Sequence, residues 1–296
     1  MAKSVYIHIP FCRSKCYYCS FVSYNKLNLL NDYLRTLEKE ITESYKCEVL
    51  NTIYFGGGTP SILKADEFEA LLKHFKYNDA EITTELNPET LDYDYLKSLY
   101  DIGINRISLG CQSFDDSILK LINRRHNSSQ VLRSVKEAQK AGFRNISLDF
   151  IYGLPNQTCK MFIDDLKKGV NLGIEHISLY GLSLEKGCYF SKFPPKNLPT
   201  DDEQADMYLA AVEFLQSNGF EHYEISNFAK NGFESKHNMT YWNNEEYYGF
   251  GVGAHGYING VRYGNTDSIE EYIKNPFIRN EERVETDKDK LEEEIF

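Results

Sequence analysis

The feature that most restricts what this chain can fold into is a six-fold alternation of strand-like and helix-like stretches. Segments rich in β-branched and aromatic residues occur at Val5 to Ile9, Thr52 to Phe55, Glu81 to Leu86, Arg106 to Leu109, Asn145 to Ile151 and His176 to Leu179. Each is bordered by Gly, Pro, Asn or Asp, the usual punctuation of strands. Between them apolar residues recur at helical spacing: Leu30, Tyr33, Leu34, Leu37 and Ile41, then Phe68, Leu71, Leu72 and Phe75. Comparable patterns cover Glu89 to Tyr100, Ser129 to Ala141, Met161 to Leu172 and Thr200 to Asn218. Strands that alternate with helices in this way pair in parallel through crossovers, so the pattern predicts an α/β fold. Six units are too few for a closed eight-unit barrel, which leaves a partial barrel or an open sheet.

Beyond Phe220 the alternation stops and the chain turns rich in Tyr, Gly and Asn, with its single Trp at position 242. Two parts are therefore expected, residues 1–220 and 221–296. Leu291 to Phe296 form a rising helical pattern with no cap, Gly or Pro after it, so the second part is expected to be incomplete. A balance of 42% hydrophobic and 26% charged residues excludes disorder. A formal charge of −11 repels nucleic-acid phosphates and anionic lipid, so no nucleic-acid partner is expected. No apolar run reaches the roughly 18 to 20 residues of a membrane span, and the N-terminus lacks a basic region followed by a long apolar core. A cytoplasmic location follows as the expectation, with any membrane association relying on a protein partner or on apolar contact.

The seven cysteines are an odd number in a chain large enough to bury a core, so no disulfide framework is expected. Cys47, Cys111, Cys159 and Cys188 are scattered, as small buried hydrophobes usually are. Cys12, Cys16 and Cys19 instead form a C-x3-C-x2-C run directly after the first strand. Three thiolates on one loop can each hold one iron of a 4Fe-4S cluster and leave the fourth iron open for a substrate or cofactor. A zinc site with His8 as the fourth ligand is the competing reading. A second signal, Gly56-Gly57-Gly58-Thr59-Pro60, follows the second strand, where glycines let backbone approach a ligand closely.

The cysteine spacing resembles that of radical S-adenosylmethionine (SAM) enzymes. The stretch Tyr6-Ile7-His8-Ile9-Pro10-Phe11-Cys12 is similar to the opening of the oxygen-independent coproporphyrinogen III oxidase group in particular. The resemblance implies a partial (β/α)6 TIM-like barrel. It also implies that Cys12, Cys16 and Cys19 ligate the cluster and that SAM binds the open iron, to be cleaved to methionine and a 5′-deoxyadenosyl radical by an electron donor. It assigns SAM contacts to Tyr6, Gly57, Gly58, Thr59, Glu85, Gln112, Arg124 and Asp149, those after Tyr6 expected at or shortly after strand ends. Carboxylates suit the ribose hydroxyls and the ammonium group, and an Arg suits a carboxylate through a forked pair.

A third signal is His237-Asn238-Met239-Thr240-Tyr241-Trp242. This H-N-x-x-Y-W pattern resembles the heme-chaperone branch of the group, and so does Gly249 to Gly256. The resemblance implies that His237 takes part in binding heme, a role open to a neutral imidazole, with neighbouring aromatic rings against the porphyrin. Oxidases of the group carry a further cysteine two residues after the third and an extended N-terminal arm. Here that position is Phe21 and the cysteine run begins at residue 12. The expected function is therefore a heme chaperone that passes heme to apo-hemoproteins such as respiratory enzymes. Radical decarboxylation of coproporphyrinogen III is the alternative, and a zinc-stabilised barrel a third.

Overall fold

The computed structural model describes residues 1–283, so the expected helical pattern at Leu291 to Phe296 lies outside the described residues. The predicted alternation is present. In chain order it runs β1 (Ser4–Ile9), α1 (Leu30–Ser44), β2 (Val49–Gly57), α2 (Ala65–Leu72), β3 (Lys76–Leu86) and α3 (Tyr93–Asp101). It continues through β4 (Arg106–Gln112), α4 (Asp116–Leu121), α5 (Ser128–Ala141), β5 (Asn145–Tyr152), α6 (Cys159–Asn171) and β6 (His176–Gly181). The short α7 (Tyr189–Lys192) and the long α8 (Asp201–Ser217) close the repeats. Short elements follow: β7 (Glu221–Glu224), β8 (Asn227–Ala229), α9 (Lys236–Trp242), β9 (Tyr248–Phe250), β10 (His255–Ile258), β11 (Val261–Asn265), α10 (Ile269–Lys274) and β12 (Arg279–Arg283).

The chain forms two compact units assembled from separated stretches, whereas the sequence pattern suggests one division near residue 220. The first unit takes Met1–Arg13, Phe21–Thr84 and the stretch from Ser235 onward. In it β9, β1, β2 and β3 pair in parallel, and β10, β11 and β12 form a separate antiparallel sheet. The second unit takes Ser14–Ser20 and Glu85–Glu234. There β4, β5 and β6 pair in parallel, and β8 and then β7 add antiparallel beyond β6. The strands read as near-continuous apolar runs because helices cover them: Val5, Ile7 and Ile9 of β1 are fully buried, as are Ile107 and Leu109 of β4 and Ile146, Leu148 and Phe150 of β5.

Helix boundaries follow local chemistry. The helix expected from Glu89 begins at Tyr93, because Pro88 opens only a 3-10 turn and the Asp92 side chain accepts the Tyr95 N–H as N-cap. Asn127 with Gln130 and Thr200 with Glu203 form reciprocal capping boxes at the starts of α5 and α8. In the first unit Glu40 of α1 is fully buried and ties together three later elements and the residue that follows β9. It accepts from Gly251 N, Asn265 Nδ2 and Tyr272 Oη, and pairs with Arg279 at 2.8 Å. Among the described residues no helix is long and apolar enough to cross a membrane.

Candidate functional site

In the first unit the residues after β1 are fastened to a neighbouring turn: Cys12 N donates to Tyr24 O at 3.0 Å and Tyr24 N donates to Pro10 O at 2.7 Å. The glycine run lies alongside, since Ile9 pairs with Gly57 and Gly58 N donates to Ile9 O at 2.9 Å. Thr59 Oγ1 stands 3.4 Å from Cys12 Sγ. Gly57 has φ +109°, and a Cβ at Gly58 would fall 2.7 Å from Phe11 O, so packing already demands glycine at both positions. Three expected binding residues, Gly57, Gly58 and Thr59, thus surround the Cys12 segment.

His8 is not a spare ligand. Its Nε2 bonds Val22 O at 2.8 Å and its Nδ1 bonds Tyr6 Oη at 3.0 Å, and burial lowers its pKa to about 4. With both ring nitrogens engaged, the zinc reading loses its fourth ligand. Among the described residues no three His, Cys, Asp or Glu side chains gather tightly enough to hold a single metal ion.

In the second unit the two residues between Cys16 and Cys19 explain how that half of the loop is held. Tyr17 and Tyr18 pack against an apolar cluster that includes Ile118, Ile122, Leu154, Cys188 and Phe190. Tyr17 N donates to Ile122 O, Phe190 N donates to Tyr17 O, and the Tyr17 ring stacks on Tyr189 at 4.3 Å. Arg124 follows α4, not a strand as expected, because the six-residue helix intervenes and Asn123 then turns the chain with φ +62°. Its Nη1 lies 3.6 Å from Cys16 Sγ and its Nη2 donates to Gly110 O at 2.6 Å. Burial opposes its charge, but Tyr18 and Cys16 outweigh burial and the net effect raises its pKa. Its Nε is buried and has no hydrogen-bond partner among the described residues, an unspent donor beside the cysteine loop.

Of the remaining expected contacts of this unit, Gln112 and Glu85 lie at strand ends as expected, whereas Asp149 lies inside its strand, which runs on to Tyr152. Gln112 ends β4 with φ +64°, a left-handed backbone for a non-glycine residue, where the pairing with β5 slips between Leu109 and Gln112. Asp149, within β5, accepts from Ser108 Oγ at 2.8 and 3.0 Å; burial raises its pKa, and the serine bonds pull it back. Glu85, half-buried, is the penultimate residue of β3. Ser108 and Asn87 were not expected. Asn87 lies 3.4 Å from Arg124 Nη2 and 3.3 Å from His126 Nδ1, and its only sequence signal is its place before Pro88.

His237 is not part of the cysteine neighbourhood. It packs on Thr52, which pairs with Ser4 at the start of β1, whereas the cysteine run follows Ile9 at the other end. From Thr52 to Gly57 along β2 is roughly 16 Å at about 3.3 Å per residue. Nor is the ring open: His237 is 1% exposed, Nδ1 meets Thr52 Oγ1 at 2.7 Å, Nε2 meets Tyr241 Oη at 2.8 Å, and Tyr54 stacks on it at 5.0 Å. The expectation of a directly available heme ligand at His237 therefore meets an imidazole whose two nitrogens are both in use.

The radical SAM superfamily profile matches residues 6–169. The chain is 44% identical to the heme chaperone HemW of Lactococcus lactis, across 99% of this chain and 80% of that protein. It is 39% identical to the heme chaperone HemW of Bacillus subtilis, across 99% of this chain and 82% of that one. Among solved structures, the coproporphyrinogen III oxidase HemN of Escherichia coli, a radical SAM enzyme, superposes with a TM-score of 0.85 at 25% identity, covering 95% of this chain and 72% of that chain.

Proposed function

This chain belongs to the radical SAM superfamily and, within it, to the heme chaperone HemW family, and from that premise we propose that it binds heme and delivers it to apo-hemoproteins such as respiratory enzymes. The observation that carries the reading is similarity to heme chaperones along 99% of the chain, with the H-N-x-x-Y-W run inside it. Membership of the superfamily implies a 4Fe-4S cluster and SAM. We assign the cluster to Cys12, Cys16 and Cys19, one thiolate per iron, an arrangement that does not require the tight convergence of a zinc site. The Arg124 guanidinium stands 3.6 Å from Cys16 Sγ. When bound, the cluster and SAM supply reductive one-electron chemistry, fed by an electron donor.

The residues that the family resemblance assigns to SAM fit it by their donor types. Gly57, Gly58 and Thr59 expose backbone beside Cys12, and Tyr6 stands on the same strand as the residues leading into it. Arg124 has a buried guanidinium donor unspent, Asp149 and Glu85 bring carboxylates, and Gln112 brings an amide on a strained strand end. Residues 1–220 serve in this reading as the radical SAM core, and the part from 221 onward handles heme. Decarboxylation of coproporphyrinogen III is the poorer reading, because Phe21, 67% exposed, occupies the position of the oxidases' further cysteine.

The test is an anaerobic titration of the reconstituted protein with hemin, followed at the Soret band, then incubation with an apo-hemoprotein. Saturable binding near one heme per chain and recovery of the acceptor's spectrum are expected. Absence of saturable binding would remove heme handling and return coproporphyrinogen to the front.

A further inference from the structure

Two places on this chain carry surfaces of opposite charge. In the first unit a cavity of about 1320 Å³ is lined by five carboxylates, Glu245, Asp267, Glu271, Glu281 and Glu282, against Arg262 and an Arg279 already paired with Glu40. In the second unit the stretch from Leu182 to Pro199, which contains α7, holds three lysines, Lys186, Lys192 and Lys196, and one acid, Glu185. All three lysines are exposed, and none forms an ion pair among the described residues. In a chain of net charge −11 this stretch is a basic island, where an acidic partner meets local attraction.

The same stretch exposes apolar side chains. Leu184, Tyr189 and Phe193 are 36%, 48% and 61% exposed, although Cys188 and Phe190 between them are buried in the apolar cluster that holds Tyr17 and Tyr18. Tyr189 and Phe193 are not isolated surface residues. Phe193 lies 4.9 Å from Tyr189, and Tyr189 stacks at 4.3 Å on Tyr17, the residue that follows Cys16. Phe190 N donates to Tyr17 O, so the backbones are joined as well as the rings. Three rings thus run from the cysteine loop to an exposed end, and Lys192 adjoins that end in sequence. An exposed aromatic patch with a charged rim is the composition of a protein-docking surface.

We infer that the stretch from Leu182 to Pro199 is the docking surface for a small acidic protein that carries a one-electron redox group and reduces the cluster. The inference rests on the cluster reading above and deepens it, giving the electron donor a place and a charge. The reduced carrier gives up one electron, the cluster takes it, and no bond or proton moves. Redox encounters of this kind use small interfaces, below about 1,200 Å² in total, so one short helix and its flanks are enough. The lysines steer the encounter, and the exposed rings give it contact. Anionic lipid matches the same charge, but only a redox partner accounts for a patch stacked on the cysteine loop.

The experiment uses flavodoxin, an acidic flavoprotein, as the probe of the reconstituted chain. One variant combines Lys186→Glu, Lys192→Glu and Lys196→Glu, and a second is Phe193→Ser. A control combines Lys73→Glu, Lys140→Glu and Lys160→Glu, three exposed lysines outside the stretch. Stopped-flow bleaching of the cluster by reduced flavodoxin should slow about tenfold in the first variant, less in the second, and not in the control. Photoreduced 5-deazariboflavin, a small uncharged reductant, should reduce the cluster at the wild-type rate in all of them. Calorimetry with oxidised flavodoxin should show binding to the cluster-free chain too, weakened by salt and lost in the first variant. Unchanged flavodoxin rates in that variant overturn the inference, and so does equal slowing in the control, which traces the effect to overall charge. Loss of binding to phosphatidylglycerol vesicles in the first variant, with flavodoxin rates intact, assigns the patch to lipid instead. If the wild-type chain forms no cluster, the cofactor reading itself fails and takes the inference with it.

Discussion

The neighbourhood of the cysteine loop and the lining of the cavity are built on opposite plans. Around the cysteines the backbone itself is the scaffold: Cys12 is pinned through Tyr24, and Tyr17 between Cys16 and Cys19 is gripped by Ile122 O and Phe190 N. Arg124 is held there too, its Nη2 donating to Gly110 O at 2.6 Å. The cavity is lined by side chains on a three-stranded antiparallel sheet and on a seven-residue helix, with the His255 imidazole exposed. The two places therefore differ in construction: main-chain bonds hold the one, and partly exposed side chains line the other.

The sharpest way to break that comparison is Cys16→Ala. It is expected to abolish the 4Fe-4S absorbance completely while circular dichroism and hemin uptake persist; a full cluster in the variant would sink the ligand assignment. Next in size is Arg279→Ala, which leaves Glu40 buried without its cation. Breaking a buried pair in this way costs about 3 kcal/mol, and urea unfolding should register it in the part of the chain that lines the cavity. Arg124→Ala should weaken SAM binding about tenfold, or roughly 1.4 kcal/mol, with the cluster retained, measured by equilibrium dialysis. Unchanged SAM affinity would place the cysteine neighbourhood's selectivity elsewhere.

The smallest effect concerns acid. Burial holds the His8 pKa at about 4, below its ordinary 6.5, so the unfolded chain takes the proton first. The stability contributed by neutral His8 is whole above about pH 6.5 and is lost as pH falls toward about 4. His8→Gln should flatten the pH dependence of the urea midpoint in that window, and a slope identical to wild type would contradict it.

Much of this was legible in the sequence because it is local. The strands declare themselves by β-branched runs, and the cysteine spacing and the glycine run are contiguous motifs. What escaped was short or distant. Helices of six and seven residues, α4 and α9, carry too few turns for a periodic signal, which is why Arg124 reads as a strand-end residue. The burial of His237 is illegible because its partner Thr52 lies 185 residues away. Ser108, which holds Asp149 from 41 residues away, is hidden for the same reason.

The pairing of β1 with β9 carries a consequence for synthesis. Ile9 ends β1 and Tyr248 begins β9, so one edge of the first strand stays bare until residues 248–250 have left the ribosome. At about 5 to 20 residues per second that interval is roughly 10 to 50 s. During it an apolar strand with unpaired backbone donors and acceptors is available to any other nascent chain. The second unit, whose strands and helices lie between Glu85 and Glu234, is finished earlier and waits for no later element. The nascent protein's exposure to aggregation is thus concentrated at its first strand, where a ribosome-bound holdase would do the most good.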